Sequence, residues 1–225
     1  MASYSSQEAL DILRNGKYSD YDIVCGEHVF KVNKVIVAGK SQFFRGCVDG
    51  SFQESEEGRV AVDAKSPFTV AMFLIYLYSG GLEPSVVKDV YPKIQEDKTD
   101  TDDGIHFKIK EVVKLYVLAD EWMVEDLKKR INVWLLTSRF AGFTFESGRH
   151  TTFGPKLQKQ LLQTLKLVYD HVAEGDKLRA DVTVFAACFW SGPNGTLAPS
   201  AQELWDLMTE HEPGIFRALE LCIKL

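Results

Sequence analysis

Residues 68–78 read FTVAMFLIYLY, eleven consecutive positions without a charge. Ser66 and Pro67 stand just ahead of them. A serine suits the capping position, and a proline fits a first helical turn, where its missing N–H costs nothing. A helix built on this run is apolar on every face, so it must be wrapped by the rest of the chain. The most apolar window, residues 67–78, would make only about 18 Å of helix. A hydrocarbon core of roughly 30 Å is beyond its reach. The run therefore predicts a buried central helix and excludes a bilayer span.

The flanking segments supply the wrapping. Ala9 to Leu13 predict a short amphipathic helix, stopped by Asn15-Gly16. YDIVCGEHVFKV predicts a hairpin: Ile23 and Cys25 alternate with polar or small neighbours, and Gly26-Glu27 makes a two-residue turn with glycine first. Lys34 to Asp49 follow with apolar residues at helical separations, with a break expected near Gly39 and an end at Asp49-Gly50. Val60 to Val62 form a short third strand. Residues 81–106 carry two prolines and an acidic cluster and read as a long exposed insertion, partly disordered. A helical pair follows, with Val112, Leu115, Leu118 and Trp122 on one face and Val124, Leu127, Ile131 and Leu135 on the next. After Thr137 a stretch rich in Gly, Thr and Phe marks a boundary. Beyond it, Leu157, Leu161, Leu165 and Val168 stripe one helix, Val182, Phe185 and Phe189 another, and Ser200-x-x-Glu203 is a capping box for a third. The fold class is α/β of the α+β type: a small three-stranded sheet with a helical cluster, then an all-helical extension.

The chemistry-bearing candidates weaken under inspection. Gly39-Lys40-Ser41 ends like a phosphate-binding loop, but Lys34 replaces the first glycine and Val35, Ile36 and Val37 resist the positive φ angles such a nest uses. Val35 and Ile36, with Phe43 and Phe44, read as core. A net charge of −6 leaves no basic stripe for nucleic acid. The densest basic run, Lys128-Lys129-Arg130, sits at helical spacing and reads as a solvated face. Cys25, Cys47, Cys188 and Cys222 lie far apart, without zinc spacing. Asp100, Asp102 and Glu111 occupy three EF-hand positions, but glycine comes fifth instead of sixth, so a solvated acidic loop is the better reading. His28, His106, His150, His171 and His211 include no pair four residues apart. A cysteine hydrolase using Cys25 or Cys47 stays as a remote alternative, since a Cys–His pair need not be adjacent in sequence. No catalytic, cofactor-binding or metal-ligating residues are assigned, and no cofactor is expected. With no basic start and apolar run at the N-terminus, the expectation is an intracellular protein, in cytoplasm or nucleus, with protein partners and neither nucleic acid nor membrane.

Five ordered blocks over residues 18–136 resemble the BTB/POZ domain. They are Asp20-Tyr21-Asp22-Ile23-Val24; Phe30-x-Val32-Asn33-Lys34 continuing to Ser41-x-Phe43-Phe44; Phe52-x-Glu54-Ser55; Tyr76-x-Tyr78-Ser79-Gly80; and Leu118-Ala119-Asp120-x-Trp122. Leu167 to Asp170, Lys177 to Arg179 and Val182 resemble the helical extension of fungal single-BTB proteins. The resemblance implies an N-terminal helix over 1–17, a BTB/POZ domain over 18–138 with the acidic insertion at about 81–106, and a helical extension over 139–225. It also implies a non-enzymatic interaction module that homodimerises and serves as a Cullin-3 ubiquitin-ligase adaptor. Leu10 and Leu13 would bury the twofold interface. Asp22 and Lys34 match charges near the dimer groove, or else form an internal salt bridge that shapes the fold. Phe52-x-Glu54 fits the apolar-x-Glu motif presented to Cullin-3, although the residues alone favour Phe52 packing under its loop. Asn33 replaces the histidine usual in the family. A monomeric linker resembling Skp1 and elongin-C is the alternative.

Overall fold

The computed structural model describes residues 6–62, 65–83, 85–95, 104–135, 155–190 and 199–214. It divides into two compact units, Met1–Lys98 with Lys114–Ile131, and Thr99–Val113 with Asn132–Leu225.

In the first unit, helix α1 (Ser6–Asn15) ends at Gly16, whose φ of +59° is available to glycine at little cost. Leu13 is buried where α1 packs on the central helix. Strands β1 (Tyr21–Cys25) and β2 (His28–Val32) form the expected hairpin, with Cys25 opposite His28 and Gly26 at φ +58°. Tyr21, Ile23 and Cys25 are buried at period two, as a strand with one core face requires. Strand β3 (Arg59–Ala61) pairs parallel with β1, giving the order β2-β1-β3. A parallel pair needs a long crossover, and helices α2 (Lys34–Lys40), α3 (Gln42–Asp49) and α4 (Gln53–Glu57) provide it.

The break between α2 and α3 falls at Ser41, and Gly39 lies inside α2. Ser41 is fully buried in extended backbone geometry, φ −123° and ψ 125°. Its Oγ accepts from the Phe44 N–H at 3.2 Å and donates to the Trp122 carbonyl at 2.8 Å. One hydroxyl thus caps α3 and ties it to the turn after a later helix. Around that tie, the Trp122 ring meets Phe43 (stacked, 5.6 Å), Phe44 (edge-on, 5.0 Å) and Phe73 (edge-on, 4.6 Å). The letters that mimic a phosphate loop are a packing device.

Helix α5 (Pro67–Ser79) is the central one; among its apolar side chains only Tyr76 is not buried. Pro67 opens it as expected, but the Ser66 hydroxyl makes no capping hydrogen bond. Gly80 closes it at φ +75°. Of the segment expected to be an exposed insertion, 81–106, the part from Leu82 to Ile94 is packed instead. Leu82, Val87, Val90 and Ile94 are all buried, and helix α6 (Val86–Val90) lies against α1 and α5. Phe30 holds the Tyr91 ring edge-on at 5.1 Å. The prolines and acidic residues hid an apolar spacing of three and four that was present all along. Residues 96–103, including Asp100 and Asp102, lie outside the described residues, and Glu111 is a buried position on a helix.

Helix α7 (Gly104–Glu121) belongs to both units, and α8 (Glu125–Trp134) follows. Lys128, from the basic run, sits between Asp120 (2.6 Å) and Glu125 (3.6 Å), while Lys129 and Arg130 are exposed. The second unit contains α9 (Pro155–His171), α10 (Lys177–Trp190) and α11 (Pro199–His211). Leu165, Val168 and Val182 are buried as their spacing predicts; the side chains of Leu157, Leu161, Phe185 and Phe189 lie outside the description. Helix α11 starts at Pro199, so Ser200 is already helical. Buried Arg179 joins these helices, donating to Glu212 at 2.5 Å and to the Val172 carbonyl at 3.1 Å over the Tyr169 ring.

Candidate partner-binding surface

Directly after α3 ends, the chain turns at Gly50 toward the start of α4. A Cβ on Gly50 would stand 2.3 Å from the Gly46 carbonyl oxygen and 2.7 Å from the Phe52 ring. The glycine is required by proximity, because its φ is an ordinary −73°. Phe52 takes the N-cap position of α4 and is 65% exposed. The expectation that it packs under its loop is overturned: the chain turns so tightly at Gly50 that the ring lies over the glycine and leaves its outer side in water.

Glu54 is half-buried in the first turn of α4. The helix is pinned at both ends. Ser55 Oγ donates to the Val48 carbonyl at 2.7 Å, tying α4 to α3. The Gly58 N–H donates to the Glu54 carbonyl, and the Gly58 carbonyl accepts from the Asp22 N–H at 3.0 Å. That chain of bonds ties the α4 backbone carrying Glu54 to α3 and to the start of β1. Burial, and secondarily the Glu54 charge, push the Cys47 thiol above its usual range. Burial, then Cys47 and Glu54, push the Tyr21 phenol up to about 12.

The expected dimer residues are separated. Leu13 is committed to the core of its own unit. Leu10 is half-buried and lines a groove of about 510 Å³ with Gln7, Arg14, Val86 and Asp89. Asp22 and Lys34 form no ion pair with each other among the described residues, so an internal salt bridge between them is not what shapes this fold. Instead the Lys34 N–H donates to Asp20 Oδ1 at 2.7 Å, supplying a carboxylate at the start of α2, and the Lys34 ammonium lies 5.6 Å from the Tyr21 ring centroid. Asn33 does substitute one hydrogen-bonding side chain for another. Its Oδ1 accepts from the Tyr78 hydroxyl at 2.8 Å and its Nδ2 donates to the Tyr18 carbonyl.

Two exposed apolar residues escaped the sequence reading. Val35, 81% exposed, was absorbed into the apolar run VIVA, and only the start of α2 shows that it points outward. Tyr18, 73% exposed, is held at φ +60°, and its carbonyl accepts from Asn33 Nδ2, a contact that no sequence pattern announces.

Cys25 and Cys47 offer little to a nucleophilic mechanism. Cys25 is 1% exposed, and its Sγ donates to the Lys65 carbonyl at 3.2 Å although His28 is its cross-strand neighbour. Cys47 is held toward its protonated, unreactive form. A recess of about 370 Å³ is lined by Gly39, Lys40, Tyr76, Gly80, Val124, Glu125 and Asp126, and Lys40 spends its ammonium on the Leu77 carbonyl. Among the described residues no cluster fit for a metal ion occurs, and no helix is long and apolar enough to cross a membrane.

Residues 10–100 match the family model of the BTB/POZ domain. This segment is a BTB/POZ domain. The match covers the hairpin, the helical crossover, β3, the central helix and α6, which makes the packed segment after Gly80 part of the domain rather than an addition to it. No curated protein matches the chain. A BTB/POZ domain is a protein–protein interaction module, so the exposed apolar side chains on its rigid elements are the relevant chemistry.

Proposed function

We propose that this BTB/POZ protein is an adaptor that recruits Cullin-3 through Phe52 and Glu54 and works as a homodimer. The observation carrying the first part is the exposure of Phe52 beside a half-buried carboxylate on a helix pinned at both ends. An aromatic ring held in water on a rigid mount, with a charged acceptor next to it, is the composition of a small interface hot spot. A pocket on the partner would cover the ring and strip water from the exposed side of Glu54.

The second part is supported by Val35 and Leu10. Val35 is almost fully exposed at the start of α2, and Leu10 is the half-open member of the α1 pair. Apolar residues on regular elements gain most from a self-complementary patch on a second copy. In this arrangement Lys34 and Asp22, which form no ion pair with each other among the described residues, are available to the partner copy.

Affinity capture of the full chain, read by mass spectrometry, tests the reading. Wild type retains Cullin-3, whereas Phe52→Ala and Glu54→Lys each lose it. Light scattering after gel filtration gives a mass near twice 25.4 kDa for all three. Capture that survives both substitutions refutes the adaptor surface, and a monomer at micromolar concentration refutes the dimer.

A further inference from the structure

We infer that Tyr21 is a positioning residue for the Phe52–Glu54 surface: its enclosed hydroxyl is the hydrogen-bond donor that Glu54 turns to when a partner covers the edge. This rests on the adaptor reading above and adds a residue that touches no partner.

Tyr21 is 2% exposed, and its hydroxyl is buried with no hydrogen-bond partner among the described residues. An enclosed phenol without an acceptor is unfavourable, and native interiors rarely leave one. The ring is enclosed: β1 holds its backbone opposite Val32, the Lys34 ammonium lies over one face, and the side chain is buried. The hydroxyl therefore has little freedom to find an acceptor by moving itself. Glu54 does have that freedom. It is half-buried, it stands on the helix that the Gly58 carbonyl fastens to Asp22, the residue next to Tyr21, and its charge reaches the phenol.

In the unbound protein water solvates the exposed side of the Glu54 carboxylate, so nothing draws it inward. A partner seated on Phe52 removes that water. The carboxylate then needs a donor, and an O–H bond to a charged oxygen gains strength as water is excluded. No proton is transferred; the phenol donates and the carboxylate accepts. The hydroxyl thus contributes to binding and not to the stability of the unbound chain, which is the reverse of what a core tyrosine does.

The test is a cycle on the full chain with Tyr21→Phe, Glu54→Gln and both changes, titrated against purified Cullin-3 by calorimetry, with Phe52→Ala as control. Tyr21→Phe is expected to weaken binding about tenfold, in keeping with a hydrogen bond to a charged group, and to leave the melting temperature unchanged or raised. On the Glu54→Gln background the same change is expected to cost less than twofold, because the charged acceptor has already gone. A lowered melting temperature with unchanged affinity, or equal costs on both backgrounds, overturns the inference while the adaptor reading stands. Absence of binding by wild type overturns the adaptor reading and the inference with it.

Discussion

Replacing Ser41 with alanine removes one oxygen atom and two buried hydrogen bonds. Loss of the α3 cap from the Phe44 N–H costs about 1 kcal/mol. Withdrawing the donor from the Trp122 carbonyl, in a site fully closed to solvent, costs about 1–3 kcal/mol more. The expected total is about 2–4 kcal/mol, and with a urea slope of about 1.5 kcal/mol/M the midpoint falls by about 2 M. Urea unfolding followed by tryptophan fluorescence reports it, since Trp122 is packed against three phenylalanine rings whose spacing depends on the same tie. Ser41→Gly separates the two terms: glycine is itself a tolerable cap, so it should lose mainly the Trp122 bond and lie about 1 kcal/mol above alanine. A Ser41→Ala protein within 1 kcal/mol of wild type would refute the account of Ser41 as the joint between α3 and the Trp122 turn.

Two further outcomes follow from buried polar groups. Arg179→Ala leaves Glu212 without its partner inside the second unit and is expected to destabilise that unit by about 3 kcal/mol, read by thermal melting followed by far-ultraviolet circular dichroism; a change under 1 kcal/mol would count against the buried pair as its main polar tie. At alkaline pH, stability is expected to fall from about pH 10 toward 12. Tyr21 and Tyr78 are both pushed up to about 12 from 10.0 by burial, so the unfolded chain loses those protons first and binds fewer of them in that window. Tyr21→Phe should flatten the decline, and an unchanged slope would contradict its raised ionisation.

Much of the domain was legible because strong local signals agreed with the fold. The hairpin announced itself through alternation and a turn glycine, and the central helix through a run with no polar face. Where the reading failed, a nonlocal contact decided. Gly39 looked like a helix breaker but stays helical, while Ser41 breaks the chain by bonding to a residue 81 positions away. Residues 82–94 were judged by their prolines and acids, although Val87, Val90 and Ile94 had helical spacing and neighbours in α1 and α5 to meet. Val35 was taken as core, and the residues alone favoured Phe52 packing under its loop, because apolar letters usually are buried; exposure depends on which way a tight turn or a first helical turn faces, and that is set by packing elsewhere. For Tyr21, no pattern in sequence tells whether a buried hydroxyl finds an acceptor.

The crowding at Gly50 has a consequence for how variants of this chain will behave. Because the Gly46 oxygen and the Phe52 ring both occupy the space where any side chain would begin, selection for folding alone will preserve the glycine, even in descendants that have abandoned their partner. Its retention among relatives would then be poor testimony of binding, and drift at Phe52 itself would be the better witness.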